Sequence, residues 1–228
     1  MGNKTYVDKR FGERKEAVEN MNAKAMETRG GWFGLTHVSV LKHYNRFKDK
    51  LRPKSPFLIA EHDYDTARVV RLEASKINDP RIYVLEGDLF DKMFNIYPST
   101  GSNCVHGETI YRVPLFSYGH LDFCCTAATL SEQHFEANIR KLAKWWALKD
   151  TFYLDVSVAH RGDKGMKSAK IMLEDYVPNV FLQLNWKMHY GRKIDYRDTS
   201  MMRNVFYKFE RIVPWNKTGR NCYADNDV

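Results

Sequence analysis

Two short apolar runs, each ending in acidic residues, are the part of this sequence that points most directly to chemistry. They are Phe57–Glu61 and Ile82–Asp88, and a helical pattern separates them. Apolar runs of this length bounded by polar residues are typical of buried parallel strands. Carboxylates just past the carboxyl ends of such strands lie where open α/β sheets bind ligands, and they suit a ribose diol or an adenine amine. Glu61 and Asp88 therefore predict a site for a nucleoside-containing cofactor.

Each of these two acids also has a plain structural interpretation. Glu61 could be a surface acid at a strand end, or it could pair with Arg68. The Gly87–Asp88 pair is also an ordinary turn sequence. Both interpretations remain open from the sequence alone.

Three further residues are candidates for the reaction itself. Asp122 stands between Leu121 and Phe123 in an apolar run, and a buried carboxylate needs polar partners. His160 and Arg161 directly follow another apolar run. A histidine at such a place can act as a general base near neutral pH, and an arginine can hold a phosphate through its fork of donors. The alternative for both is an ordinary surface loop.

A dense basic segment follows the first glycine-rich stretch of the chain. Tyr44 and Phe47 alternate with its cations, which are Lys42, His43, Arg46, Lys48, Lys50, Arg52 and Lys54. Such a helix can track a phosphate backbone, and we expect nucleic-acid contacts from Lys42, Arg46, Lys50 and Lys54. A solvated helix face is the alternative.

Composition favours an anionic partner. The 228 residues carry a formal net charge of +8, and nucleic acid is the usual partner of such a basic surface. The four cysteines form no C-x-x-C pair, so no metal site is expected. The sequence shows neither a signal peptide nor a membrane-spanning apolar stretch, and the expected location is cytoplasmic with no membrane contact.

Strand-like and helical patterns alternate through most of the chain. We expect a charged helical arm over residues 1–29, one domain over 30–215 and a polar tail over 216–228. Residues 98–118 are predicted to form a long loop, and 180–190 and 204–213 to form a closing antiparallel strand pair. The fold class is therefore α/β, a three-layer sandwich with a mainly parallel sheet and a terminal antiparallel pair.

Over residues 33–212 this order of elements resembles the Rossmann-like fold of class I S-adenosylmethionine-dependent methyltransferases. Glu61 matches the family's ribose-binding acid, and Gly87–Asp88 matches its adenine-contacting acid. Leu121–Thr126 is similar to the strand-four motif "L-D-F-C-G-T" of virus-type members, and His160–Gly162 is similar to their strand ending in Arg-Gly. The resemblance implies S-adenosylmethionine as cofactor, held by Gly31, Trp32, Glu61, His62, Gly87, Asp88 and Asp122.

The sequence departs from the family pattern at two places. The family's first strand ends in a D-x-G-x-G turn, and the nearest substitutes here are Gly30–Gly34 and Leu35–His37. Members that methylate amino groups carry an Asp/Asn-Pro-Pro-aromatic element after strand four, where this chain has Thr126–Thr129. Exocyclic base amines are therefore not expected as methyl acceptors.

Two functions follow from the resemblance and its departures. The first is a methyltransferase that acts on nucleic acid, with Asp122, His160 and Arg161 at the substrate end of the pocket. The second is a catalytically inactive, methyltransferase-shaped subunit that binds nucleic acid or supports an assembly, as a homo-oligomer or with a protein partner. A nucleotide-dependent enzyme of another α/β family is a third interpretation, but no G-x-x-x-x-G-K-[ST] loop supports it.

Overall fold

The computed structural model describes most of the region between the two predicted flanks. The described residues are 30–35, 41, 44–45, 48–49, 51–53, 55–93, 97–98, 103–105, 108–110, 116–145, 147–197 and 200–213. The predicted arm (1–29) and tail (216–228) lie outside these residues.

A seven-stranded sheet forms the centre of the molecule. Its strands follow the order β3-β2-β1-β7-β8-β10-β9, in which β10 is antiparallel to both of its neighbours and the pairs among the other strands are parallel. The strands are β1 (Gly31–Leu35), β2 (Phe57–Glu61), β3 (Ile82–Glu86), β7 (Phe116–Thr126), β8 (Leu148–His160), β9 (Trp186–Arg197) and β10 (Met201–Arg211).

Helices cover both faces of this sheet. They are α1 (Tyr64–Ile77), α2 (Leu89–Met93), α3 (Ala127–Glu132), α4 (Phe135–Lys144), α5 (Gly162–Lys170), a π-helical turn (Ile171–Tyr176) and α6 (Val177–Gln183). One apolar cluster joins α3–α6 to one face, and a second joins α1 to the other face through Trp32, Phe57 and Ile59. The predicted three-layer sandwich with a terminal antiparallel pair is confirmed. Among the helices of the described ranges, none is both long enough and apolar enough to cross a membrane.

Local signals explain where α1 begins and ends. The Asp63 side chain accepts a hydrogen bond from the Thr66 backbone N–H at 2.8 Å, which satisfies one donor of the first turn. The helix ends at Asn78, which has a positive φ of 52°. Asparagine tolerates this left-handed conformation better than most residues.

The segment predicted as a strand over residues 180–190 is helical in its first part. Residues 180–183 belong to α6, and strand β9 begins at Trp186. The prediction was wrong there because the apolar residues follow helical spacing. Val180 and Phe181 are buried against the sheet, whereas Leu182 is 59% exposed.

Residues 98–118, predicted as one long loop, contain regular structure. Three short strands, β4 (Tyr97–Pro98), β5 (Asn103–Val105) and β6 (Glu108–Ile110), form a small antiparallel sheet. Residues 116–118 already belong to β7. The other residues of the segment lie outside the described part of the chain.

A charged cluster joins the segment before β2 to the turn before β3. The Arg81 guanidinium donates to both carboxyl oxygens of Asp79, at 3.0 Å from Nε and 2.8 Å from Nη2. It also donates to the backbone oxygens of Lys48 and Leu51 at 3.0 and 3.3 Å. The Tyr44 hydroxyl completes the cluster by donating to Asp79. Hydrogen bonds from Arg81 hold the pKa of Asp79 well below its usual value.

We expect the Asp79→Asn variant to lose about 1.5–3 kcal/mol of unfolding free energy at pH 7, the scale of hydrogen bonds to a charged group. The folded pKa of Asp79 is below its ordinary value of 3.8. The stabilisation is therefore present above that value and is lost as the pH falls through the folded pKa. Urea unfolding of both proteins between pH 7 and pH 2 measures this.

The difference in unfolding free energy between the wild type and the Asp79→Asn variant should narrow as the pH falls. Asp175→Asn, at an exposed carboxylate, is the matched control and should leave the wild-type profile unchanged. A gap of constant size from pH 7 to pH 2 would contradict the role assigned to the ionised Asp79.

Candidate functional site

The carboxyl ends of the parallel strands bring most of the predicted site residues to one edge of the sheet. Glu61 is the last residue of β2, and Gly87 follows the last residue of β3. Asp122 lies near the end of β7, and His160 is the last residue of β8. We call this the carboxyl edge. Open α/β sheets bind ligands at such an edge, where the strand order reverses.

The Glu61 side chain is partly exposed at the end of β2. Its Oε1 accepts a hydrogen bond from the Asp63 backbone N–H at 3.0 Å. Its backbone oxygen accepts from the Gly87 N–H at 2.9 Å, which fixes the turn after β3 beside the end of β2. Within the described residues Glu61 forms no ion pair with Arg68, so one of its two structural alternatives is not observed. The other alternative, a surface acid at a strand end, remains compatible with its position. His62 is exposed beside it.

A second carboxylate lies next to Glu61 and is already paired. Glu86 is directly opposite Glu61 in the β2–β3 register. It forms an ion pair with Arg71 of α1 at 3.0 Å. Arg71 therefore offsets the charge of Glu86. Of these two neighbouring carboxylates, Glu61 is the one that remains available for a ligand.

Gly87 and Asp88 form the turn that follows β3. Gly87 has a φ of +117°, a conformation that L-amino acids with a side chain rarely adopt. The Asp88 Oδ1 accepts from the backbone N–H groups of Phe90 and Asp91 at 2.8 and 3.1 Å, so it caps α2. Asp88 thus has the structural role of a helix cap, and its second carboxyl oxygen forms no hydrogen bond within the described residues.

Asp122 lies just past the end of β1. Gly34 of β1 pairs with His120 of β7, so the register carries Asp122 beyond Leu35, the last residue of β1. On its other side Asp122 is opposite Ser157 of β8. Its Oδ1 is shielded from solvent. Asp122 therefore lies at the point of the carboxyl edge where β1 and β7 meet.

The end of β7 is irregular. Phe123 pairs with Val158 and Thr126 pairs with Ala159, so the two cysteines between them form a bulge. Bulges of this kind are frequent next to active sites, where they redirect side chains. Thr126 then caps α3 by accepting from the Thr129 N–H at 3.4 Å. Residues 126–129 stand where amino-group methyltransferases carry their Asp/Asn-Pro-Pro-aromatic element. Here these residues form the cap and first turn of α3.

His160 lies on the other face of the sheet from Asp122. Side chains alternate along a strand, and His160 is three residues beyond Ser157, the partner of Asp122. It is 3% exposed, and its Nε2 is 3.9 Å from a carboxyl oxygen of Asp195. Burial lowers the pKa of His160 below its usual value of 6.5, more than Asp195 raises it. A direct role for His160 at the substrate end is not supported by this position.

A network of ion pairs lies around His160. Arg203 donates to both carboxyl oxygens of Asp195 at 2.8 Å and from Nε to Glu174 at 2.9 Å. Lys193 forms a further ion pair with Glu174. Glu174 is in the π-helical turn, so these contacts join that turn to β9 and β10. Arg161, in contrast, is exposed at the start of α5.

Two of the predicted cofactor contacts, Gly31 and Trp32, are not at the carboxyl edge. Gly31 and Trp32 begin β1, at the amino end of the sheet, and Trp32 is fully buried against Phe57 with ring centroids 4.1 Å apart. The interpretation of these two residues as cofactor contacts is therefore corrected, because their strand places them at its opposite end. The predicted nucleic-acid contacts Lys42, Arg46, Lys50 and Lys54 lie outside the described residues, as does the segment 36–40 after β1.

A buried polar network behind Asp122 was not predicted from the sequence. Its centre is the carboxyl group of Asp155, which is 1% exposed. The Tyr118 hydroxyl donates to it at 3.0 Å, the His120 Nδ1 lies 2.9 Å from it, and the Asn204 amide also donates to it. Asn204 additionally donates to the Ser157 hydroxyl at 3.0 Å. An aspartate inside the apolar run of β8 was the signal that could have indicated this network.

Comparisons with solved structures agree with the fold described above. No protein-family model and no curated protein sequence matches the chain. Among solved structures, yhhF of Escherichia coli, provisionally assigned as a methyltransferase, is 12% identical with a TM-score of 0.52, covering 86% of this chain and 85% of that one. PH1948 of Pyrococcus horikoshii, provisionally an RNA methyltransferase, is 10% identical with a TM-score of 0.50, covering 89% and 92%. The chain has the Rossmann-like methyltransferase fold.

A third structure with this fold comes from Streptococcus pneumoniae. Sp1610, provisionally a tRNA methyltransferase, is 8% identical with a TM-score of 0.51, covering 87% of this chain and 70% of that one. At such identities the likeness concerns the methyltransferase fold alone. The chemistry of this chain must therefore be argued from its own carboxyl edge.

We expect the imidazole of His160 to titrate below pH 6.5, because burial disfavours its charged form. Its contribution to stability is present above pH 6.5 and is lost as the pH falls through the lowered folded pKa. Nuclear magnetic resonance of the histidine ring signals measures the midpoint. Asp195→Asn should lower it further, because that carboxylate favours the imidazolium. A His160 midpoint at or above 6.5 in the wild type would contradict this account.

Proposed function

We propose that this protein binds S-adenosylmethionine at the carboxyl edge and transfers its methyl group to a nucleic acid. The observation that carries the proposal is the position of Glu61, with one carboxyl oxygen available, beside the Gly87 turn at the strand ends of a methyltransferase fold. The fold by itself supports many functions, so the argument rests on these residues.

The residues present fit the adenosine half of the cofactor. The Glu61 Oε1 is bonded to the Asp63 N–H, and Oε2 remains for the hydroxyl groups of a ribose. The flexible Lys92 side chain covers the Gly87 Cα, with its Cε 2.9 Å from where a Cβ would stand, so a ring that contacts this turn displaces that side chain. The second carboxyl oxygen of Asp88 can accept from an adenine amine. His62 is exposed beside the same site.

The methyl end of the site is assigned to Asp122. When bound, the cofactor supplies an activated methyl group on a sulfonium. The protein then needs mainly to place the acceptor in line with that group, and little acid–base chemistry is required. Asp122 lies where β1 and β7 meet, and its carboxyl group can orient the acceptor. Arg161, exposed at the end of β8, can hold a phosphate of the acceptor.

Nucleic acid is the proposed acceptor because of charge. The sequence has 36 lysine and arginine residues against 28 acids. Such a surplus attracts polyanions and speeds their association. Of His160 and Arg161, His160 is buried and Arg161 is exposed, so Arg161 is the residue whose charge can contact a large substrate.

A catalytically inactive subunit with the same fold is the second candidate. Two observations favour it. The segment 36–40 that follows β1 contains no glycine, and Thr126 serves as a helix cap at the place where amino-group methyltransferases carry their catalytic element. Such a protein would bind nucleic acid or support an assembly without transferring methyl groups.

We expect Glu61→Gln to weaken binding of S-adenosylhomocysteine by about 1.5–3 kcal/mol, or about tenfold to a hundredfold, because it replaces a charged hydrogen-bond acceptor. Isothermal titration calorimetry measures the change. Glu73→Gln is the matched control, since Glu73 is exposed on α1 and pairs with Lys76 away from the carboxyl edge. Affinity equal to wild type in the Glu61 variant would contradict the assigned contact.

Two outcomes with the wild-type protein separate the candidate functions. Binding of the cofactor together with transfer of a radiolabelled methyl group to RNA or DNA supports the enzyme. Binding without transfer to either polymer favours the inactive subunit, and no binding of S-adenosylmethionine or S-adenosylhomocysteine would overturn the proposed cofactor site.

A further inference from the structure

A row of exposed cations lies on α5 and at its start. We call it the α5 cation row, and its members are Arg161, Lys164, Lys167 and Lys170. All four side chains are exposed, and the only carboxylate within the same ten residues is Asp163. The segment therefore carries a local positive charge on the surface.

Helical geometry orders these cations along one side of the helix. The three lysines follow each other at intervals of three residues, so each lies close to the next on the helix surface. At a rise of about 1.5 Å per residue, the row extends over about 13 Å. That length corresponds to about four successive phosphates of a strand that keeps the stacked, duplex-like rise of 3.4 Å per nucleotide.

Within the described residues, the cations of this row are not neutralised by neighbouring carboxylates. Across the part of the chain that the structure describes, none of the four forms an ion pair. Cations elsewhere on the sheet do form them: Lys193 and Arg203 pair with Glu174, and Lys208 pairs with Glu210 at 2.9 Å. The charge of the α5 cation row is thus available to an external anion.

The row begins at the carboxyl edge. Strand β8 ends at His160, and Gly162, with a φ of +61°, allows the chain to turn directly into α5. Thr126 at the end of β7 pairs with Ala159, and α3 packs against α5. The row therefore starts at the end of β8, which is the direct neighbour of β7, the strand that carries Asp122.

We infer that the α5 cation row binds the phosphate backbone of a single-stranded nucleic acid and leads it to the carboxyl edge. This inference rests on the proposed function, because it assigns the acceptor's binding surface. A single strand is favoured because enzymes that act on a base need it outside the duplex stack. RNA and DNA share the phosphate chemistry, and the test distinguishes them.

The test compares the salt dependence of binding in two variants of equal charge. Lys164→Gln/Lys167→Gln removes two cations of the row. Lys144→Gln/Lys187→Gln removes two exposed cations near the amino ends of β8 and β9, on the opposite edge of the sheet. Fluorescence anisotropy with oligouridylate and oligothymidylate of about 20 nucleotides, longer than a common binding site of about 4–16, gives the affinity at several salt concentrations.

We expect the row variant to reduce the slope of log affinity against log salt by about 1.4, since each phosphate contact to a single strand contributes about 0.7. The control variant should keep the wild-type slope. Tighter binding of oligouridylate than of oligothymidylate by the wild type favours RNA as the bound polymer, and the reverse order favours DNA.

Three results would overturn the inference: an unchanged slope in the row variant, an equal loss in both variants, or no binding of either oligonucleotide by the wild type at low salt. Calorimetry with S-adenosylhomocysteine on the same row variant measures whether the cofactor site still binds. It therefore distinguishes a failure of this inference from a failure of the proposed cofactor site. An intact cofactor affinity together with an unchanged slope rejects the α5 cation row alone.

Discussion

A buried carboxyl group at the centre of the sheet constrains the rest of the structure. Asp155 is 1% exposed, and an unpaired carboxylate at such a place would cost several kcal/mol. Its partners come from both neighbouring strands, Tyr118 and His120 from β7 and Asn204 from β10. A shift of one residue in either pairing would move these partners to the other face of the sheet. The network therefore fixes the register of three adjacent strands.

The candidate site depends on that register. Because His120 is held against Asp155 and pairs with Gly34, Asp122 extends past the end of β1. The same alternation of side chains places Asp122 on one face and His160 on the other. A carboxylate and a histidine that look equivalent in the sequence both lie at the carboxyl edge, but on opposite faces of the sheet, with His160 under α5. The chemistry assigned to the site is accordingly placement of an acceptor.

The parts of the fold that local sequence determines were predictable. Strands β2 and β3 are apolar runs bounded by polar residues, and the Asp63 cap is a contact over three residues. The helix α6 was missed although its buried residues Val177, Val180 and Phe181 follow helical spacing. The stacking of Phe181 on Phe209 at 4.0 Å, which holds it on the sheet, is a tertiary contact that the sequence does not show. For the same reason the partners of Asp155, which lie at least 35 residues away in the sequence, could not be identified.

The central claim is that a nucleoside binds between the ends of β2 and β3, and a crystal structure of the complex with S-adenosylhomocysteine tests it most directly. The account predicts the ribose hydroxyl groups within hydrogen-bond distance of the Glu61 carboxyl group and the adenine beside Gly87 and Asp88. A nucleoside bound at the amino end of the sheet, near Gly31 and Trp32, would contradict it. So would crystals grown at saturating ligand that show no nucleoside at the carboxyl edge.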